Sequence, residues 1–582
     1  MVNPRIAQLI QCLVFFIPVN VYVLGNWMGC GIQWSLFRYQ VSYLGESLIS
    51  FSTEMGYVYF GIIQGKSGLA IIIWAIGVFL LLGCFLVNLL AIRFLPSYYV
   101  KKTFLIIILS GVFFLLSDLI QYGLTFQNPA GICIPVGIPF IFFIGYWGYR
   151  NTSDSGSAAK PERRNIFIDE DNKKYFHIPW ISKNFKISND LLYLIALSII
   201  IKYLLFFISL YAPYDAVTGD ITLYYHYVSL IFTGRIPYVD FAVEYPPFFF
   251  IPALTAFIPQ VVFPGLASYL FSFMVLMYAL DIAMLCLIYN TALVLFGKAR
   301  AFTCGLLYAT AVSAAFFIPL TYDLVPTFLL FLSFFLYLHK EKFFAYICVF
   351  SGTLMKWYPV FASPYYILHT YKCRESLREA LRASAIAITL FLISTVPFLL
   401  MKMQVFLITY TYHFTRDVQT HSFVYYLQTI FGNFIDRGTV VQACLILLIW
   451  LEIGFLYYYL RYSDTNMISL MYFIFLSVFV FILLNKVFSA SYIIWITPFL
   501  ALLLAHTIHE IVLFYLIEII VYIETPLLYR IVYGDGRQYF VLENSIPSFP
   551  FIFYSVKFLI YFAVLWVIVN NIKNKQNCGT NI

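Results

Sequence analysis

Charge is scarce in this chain. Of its 582 residues only 11% are Asp, Glu, Lys or Arg, while 62% are apolar and 20% aromatic. A soluble domain carries about 25% charged and about 45–50% apolar residues, so the greasy surface here exceeds what one buried core could hide, and a water-soluble enzyme is excluded. Hydrophobic stretches recur from residue 9 to residue 571 with few long polar gaps. Each approaches the roughly 20 residues that cross a bilayer, which excludes a receptor with one anchor. A CxxC pair is also missing: the ten cysteines are scattered, mostly inside apolar runs, and that argues against a disulfide framework or a zinc site. No P-loop or GxGxxG occurs, so nothing points to ATP or a nucleotide sugar. The net charge of +8 is spread over short loops instead of one basic face, so no nucleic-acid partner is expected. What remains is an all-α polytopic membrane protein.

One polar stretch interrupts the chain. Residues 149–189 contain NTSDSGSAAKPERR and IDEDNKK, the composition of a linker. They divide an N-terminal membrane block, 1–148, from a larger block, 190–582. The first is expected to hold about four spanning helices, near 9–25, 70–95, 103–123 and 130–148, with the first run retained as a helix and not cleaved as a signal peptide. In the second block spans are expected near 191–212, 266–292, 301–318, 322–338, 343–371 (broken at Lys356), 383–401, 439–460, 466–484, 491–507, 509–523 and 549–571. Three prolines make 248–264 irregular or re-entrant. With the linker placed in the cytoplasm, about 23 Lys and Arg fall on that face and about ten on the other, as the positive-inside tendency requires.

This topology collects polar residues on the outer face. The segment YAPYDAVTGDITLYYHYVSLIFTGRIPYVDFAVEYPP, residues 211–247, is too long and aromatic for a connector. It is joined there by TYD (321–323), MKWYP (355–359), YHFTRDVQTHSF (412–423) and LNKVFSASY (484–492). Asp220 reads either as the N-cap of a short surface helix ending at Gly234 or as a general base for a sugar hydroxyl. Asp215 either backs it up or occupies a turn. Glu244 is as readily a solvated acid as a substrate contact. Lys356, inside an apolar run, either snorkels or binds an anion. His413 and Arg416 lie three apart with Asp417 beside them, forming a surface pair or a phosphate site suited to the guanidinium fork. Asn485 fits a turn, but its neighbour Lys486 is not explained by one. Lys356, Arg416 and Lys486 together would form a cationic outer pocket facing Asp220, suited to a phosphate leaving group and a hydroxyl to be activated. HTIHE (506–510) lacks the remaining ligands of a zincin. Lys202 and Lys557 stand unexplained inside hydrophobic spans, and a transporter or flippase is the competing class.

Asp220, then Gly234-Arg235-Ile236-Pro237-Tyr238, then Glu244-Tyr245-Pro246-Pro247 resemble the first outer loop of polyprenyl-phosphate-sugar-dependent glycosyltransferases of the GT-C fold. They are most similar to the α-mannosyltransferases that build glycosylphosphatidylinositol anchors and bacterial phosphatidylinositol mannosides. MKWYP, YHFTRDVQTHSF and NKVFSASYIIWITPFL match later family segments in the same order. The resemblance covers about residues 190–510. It implies a GT-C-like helix bundle with a long first outer loop, a polyprenyl (dolichyl) phosphate mannose donor and an inverting displacement onto a glycan or glycolipid acceptor. In the roles it implies, Asp220 is the base and Lys356, Arg416 and Lys486 hold the donor phosphate. Asp215, Tyr238, Glu244, Tyr245, Tyr358, His413, Asp417 and Asn485 serve sugar, acceptor or loop. Where the eukaryotic relatives carry Asp-x-Asp, this chain has Thr218-Gly219-Asp220, which puts a divalent metal cofactor in doubt. The expected location is the cell membrane with the site facing outward, or the lumenal face of the endoplasmic reticulum in a eukaryote, among membrane lipids and with room for an accessory membrane subunit.

Overall fold

The structure, a computed structural model, describes residues 4–25, 29–42, 45–93, 98–129, 131–152, 188–209, 214–262, 264–432, 434–527 and 549–579. The protein is an integral membrane protein. Among the described residues seven helices are long and apolar enough to cross a bilayer: Gly65–Asn88, Tyr99–Tyr122, Leu266–Phe296, Arg378–Thr415, Arg437–Tyr462, Met467–Leu484 and Phe551–Lys573. The chain divides into two compact units, Met1–Tyr211 and Ala212–Ile582. Most of the linker, 153–187, lies outside the described residues.

The first unit holds helices α1 (Pro4–Cys12), α2 (Phe51–Tyr59), α3 (Gly65–Arg93), α4 (Tyr98–Tyr122), α5 (Ile138–Asn151) and α6 (Asn189–Ser209). It also holds six strands: β1 (Asn20–Leu24), β2 (Gly29–Gln33), β3 (Phe37–Ser42), β4 (Gly45–Ser50), β5 (Gln127–Asn128) and β6 (Gly131–Ile134). The strands form one sheet in the order β4-β3-β2-β1-β6-β5, with antiparallel pairing throughout. This corrects two of the expected spans. Residues 9–25 are not one helix: α1 ends at Cys12, a 3-10 turn covers Leu13–Phe15, and β1 follows. Pro18 cannot continue a helix, and the alternating Val19, Val21 and Val23 favour a pleated strand. The stretch 130–148 likewise begins as β6, and its helix starts only at Ile138, past Pro135. α3 and α4 approach closely because small residues face each other: Ser110 donates to Gly77 O and Ser117 to Ala70 O, both at 2.8 Å, the packing typical of membrane helices.

The second unit continues with α7 (Tyr214–Phe232), α8 (Phe250–Phe257), α9 (Leu266–Phe296), α10 (Lys298–Ala309), α11 (Val312–Phe317), α12 (Leu324–Leu338), α13 (Lys342–Met355) and α14 (Ala362–Lys372). There follow α15 (Arg378–Thr415), α16 (Phe423–Phe431), α17 (Arg437–Tyr462), α18 (Met467–Leu484), α19 (Ile493–Leu503), α20 (Ile508–Tyr522) and α21 (Phe549–Gly579). Side-chain caps start several of them, with Ser422, Asp436, Asn466 and Thr507 each accepting a backbone N–H of the first turn. At Thr507 the cap is reciprocal. Glu510 accepts from the backbone N–H of His506 and Thr507 at 3.0 and 2.8 Å, so HTIHE is a capping box. The proline-rich stretch forms α8 between 3-10 turns Pro247–Phe249 and Ile258–Val261. The expected break at Lys356 separates α13 from α14, with Lys356 itself in extended backbone (φ −155°, ψ 140°). α15 is longer than the span expected at 383–401, because it resumes after a non-helical residue, Lys402.

Candidate active site

Asp220 is not a cap. It lies in the second turn of α7, well past the helix start at Tyr214, whereas capping needs non-helical backbone at the helix end. The stop is as expected: Gly234 has φ 87°, and Arg235 N returns to Leu230 O at 3.1 Å. Relieved of a local task, the Asp220 carboxyl projects from the same helix face as Tyr224, one turn on. Tyr224 packs into an aromatic cluster, with ring centroids 5.0 Å from Phe249, 5.7 Å from Phe273, 5.7 Å from Tyr322 and 5.8 Å from Tyr245. Each such pair adds about 0.5–1.5 kcal/mol beyond area burial, so the floor beneath Asp220 is stiff. The Asp215 side chain lies outside the described residues.

Beside this floor stands a buried acid that the sequence reading left without a role. Asp323, at the start of α12 and 2% exposed, accepts from Ser491 Oγ at 2.9 Å and Trp495 Nε1 at 3.1 Å. It also pairs with the Lys356 ammonium. That ammonium sits over the rings of Tyr322, Tyr492 and Trp495 at 5.1–5.2 Å, where cation–π attraction adds to the ion pair. Asp323 engages only one of the three ammonium donors. Tyr358 is buried behind this group, stacked on Trp495 at 4.0 Å and bonded to Thr327 Oγ1 at 2.7 Å. It supports the network from behind.

The loop after α7 is fastened to α15. Tyr238, in left-handed backbone (φ 63°) and buried, donates its hydroxyl to Tyr245 O at 2.8 Å and packs against Phe398 and Phe406. Thr409 donates to Val243 O at 2.7 Å, and His413 Nε2 to Glu244 O at 3.2 Å. Phe406, Thr409 and His413 therefore face one loop at helical spacing. Tyr238 and His413 act as loop supports, while Tyr245 is half-buried within the aromatic cluster.

The cations gather at the end of α15. Arg416 caps it, with its guanidinium 5.6 Å from the Tyr412 ring. Lys486 donates to Phe414 O at 2.7 Å. The turn that carries Lys486 is joined to the 416–422 segment, since Gln419 N donates to Lys486 O at 3.1 Å and Phe488 N to Gln419 Oε1 at 2.7 Å. Asn485 Oδ1 accepts Val487 N at 3.1 Å, the side-chain turn expected of it. Asp417 is exposed at the loop surface.

Electrostatics tie these parts together. The charges of Asp323, Lys356, Glu244 and Arg416 all act on Asp220. Its side chain keeps access to solvent, yet surrounding protein desolvates the carboxyl, and with Asp323 reinforcing and Lys356 opposing, it is pushed up to about 6. Neither the Asp220 carboxyl nor the Arg416 guanidinium hydrogen-bonds to a described residue. Among the described residues no group of three His, Cys, Asp or Glu could hold a metal ion.

No family model matches the chain. No curated protein matches it. Among solved structures the chain is similar to the crystal structure of ArnT from Cupriavidus metallidurans bound to undecaprenyl phosphate, with 15% identity and a TM-score of 0.36, over 64% of this chain and 71% of that one.

Asp323, Ser491 and Trp495 are the residues missed from sequence. A signal for the first was present, since a lone acid in LTYDLVP between apolar runs is as costly at membrane depth as Lys356. Two opposite lone charges in neighbouring spans are a pair to be tested together.

Proposed function

We propose that the protein is a glycosyltransferase of the GT-C kind that moves a hexose, mannose by resemblance, from a polyprenyl phosphate donor to a lipid- or protein-linked glycan. The site faces the cell exterior, or the organelle lumen in a eukaryote. The observation that carries this reading is Asp220: an accessible but desolvated carboxyl with a raised pKa, beside the cations Lys356 and Arg416. A general base works best with a pKa near the working pH. In the proposed step an acceptor hydroxyl oxygen attacks the anomeric carbon while Asp220 removes its proton. The bond from that carbon to the phosphate oxygen breaks, and the phosphate leaves with the bonding pair. Arg416 and the uncommitted ammonium donors of Lys356 meet the departing charge, with Lys486 at the rim. One displacement inverts the anomeric centre. We assign Glu244, Tyr245 and Asp417 to sugar or acceptor contact, and by resemblance alone Asp215 to the loop.

Cationic side chains supply the charge neutralisation in this scheme, so chelation of divalent metal is expected to leave the rate unchanged. We assign catalysis to residues 190–582 and lipid or partner contacts to 1–148. Transfer by 190–582 alone would support that division, although α6 packs within the first compact unit. The test of function is transfer of radiolabelled mannose from its polyprenyl phosphate to extracted membrane lipids in liposomes, wild type beside Asp220→Asn. Loss in the variant with donor binding intact supports the reading. If wild type consumes no polyprenyl phosphate sugar of any kind, the reading fails and transport of a lipid-linked sugar takes its place.

A further inference from the structure

We propose that Lys557 is a positioning residue for the anion-binding face of this site, tying the 416–422 segment, and through it the 485–488 turn, to the last helix. The inference rests on the function proposed above. Lys557 lies within the apolar run Phe551–Lys573, and both it and its partner Glu524 have fully buried side chains. Its ammonium donates to Glu524 Oε1 at 2.8 Å. A buried ion pair is a poor source of stability, because an apolar pair of similar volume does as well or better. Two further contacts give this one a use: the same ammonium donates to His421 O at 3.4 Å and lies 4.3 Å from the centroid of the Phe488 ring.

Those two residues belong to the two strands of chain that carry the cations. His421 closes the segment begun by Arg416, and Phe488 follows Lys486. The segments are already joined through Gln419, and the His421 and Phe488 rings meet edge to face at 5.8 Å. Lys557 therefore bridges both from beneath. The seam continues along α21, where Tyr426 bonds Ser555 at 2.7 Å and Phe423 packs on Phe558 at 5.0 Å. Burial, then the charge of Lys557, holds the His421 imidazole down at about 3. It stays neutral, leaving Arg416 and Lys486 as the cations of this face among the described residues of the two segments.

The test compares wild type with Lys557→Met/Glu524→Leu, which removes both charges at once and so leaves no unpaired ion. The expected result is an unchanged melting temperature, a donor KM raised about tenfold, the size of one charge-assisted hydrogen bond, and kcat within about twofold. Backbone amides of 416–422 and 485–488 should exchange faster in the variant. Unchanged exchange in a folded variant overturns the inference, as does a fall in kcat with KM untouched. If the double variant does not fold, Lys557→Met/Glu524→Gln decides, since it also removes both charges and keeps the shape of Glu524: faster exchange in 416–422 supports the assignment, and unchanged protection overturns it. The exchange readings need no activity. If wild type transfers no sugar, the proposed function falls while these readings still judge the clamp.

Discussion

In the first unit several of the polar side chains set among apolar helices find one another. Gln11 donates to Thr103 Oγ1 at 2.8 Å and also meets Asn88. Gln8 donates to Asn88 O at 3.1 Å and accepts from the Tyr193 hydroxyl at 2.8 Å. Asn20 donates to Asp118 at 2.7 Å, and Arg38 pairs with Glu54. In the second unit Asp323 and Lys356 are similarly engaged, but the groups they face are not: Asp220 remains open to solvent and Arg416 rests on a ring. Bonds of the first kind hold helices together. The second array carries both signs of charge among packed aromatics and leaves a carboxyl and a guanidinium without a described hydrogen-bond partner, and on the proposed function those are the groups that meet substrate.

The contrast can be broken most directly at Asp220. Asp220→Asn is expected to lower sugar transfer about 1,000-fold, within the range for loss of a general base, while the melting temperature is unchanged. A variant that is equally active would return Asp220 to the solvated acids. Arg416→Gln comes next, weakening donor binding about 10- to 100-fold, as removal of a charged hydrogen-bond donor to a phosphate does. Competition by polyprenyl phosphate reads this directly, and unaltered competition would take Arg416 out of the site.

A smaller effect sharpens the link between the open and the engaged acid. Because the carboxyl of Asp220 must be ionised to accept a proton, kcat/KM should rise with pH through a midpoint near 6. Asp323 raises that midpoint by repulsion, so Asp323→Asn should move the acid limb to lower pH. A shift upward, or none, would separate the two acids. Gln11→Leu in the first unit leaves its buried partners unmatched and should cost about 1–3 kcal/mol of stability, seen as a lower melting temperature. Transfer per folded molecule should not change, and a large fall in kcat at full folding would erase the distinction between the units.

Legibility in the sequence followed cost. Lys356 stood out because an ammonium in an apolar run needs a reason, and the break expected there is where α13 ends. Of the two readings open for Asp220 the cap falls: the helix begins at Tyr214, and composition alone does not place a helix start among Tyr, Asp, Ala and Val. The sheet of the first unit went unread since its strands, such as NVYVL and GICI, are short apolar runs, which periodicity cannot tell from pieces of a helix. HTIHE falls short of a zincin's ligands already in sequence, and the structure gives its glutamate another task, accepting the backbone N–H groups of His506 and Thr507. Tyr238 and Tyr358 are offered by the resemblance for sugar, acceptor or loop without a choice among them, and burial with the bonds to Tyr245 O and Thr327 is what only the fold supplies.

Composition by itself determined that this is a polytopic membrane protein, because apolar area on this scale has no other place in water. It also determined which charged residues demand explanation, since ions at membrane depth are expensive wherever the chain takes them. Tertiary structure alone decided which of those charges meet. Asp323 and Lys356 are 33 residues apart and Lys557 and Glu524 equally so, and a pair at such separation exists only once helices have packed. The same packing decided that Asp323 and Lys356 are engaged while Asp220 stays open to solvent, a difference in partnership that is invisible in a string of residues because it depends on which helices come to lie side by side.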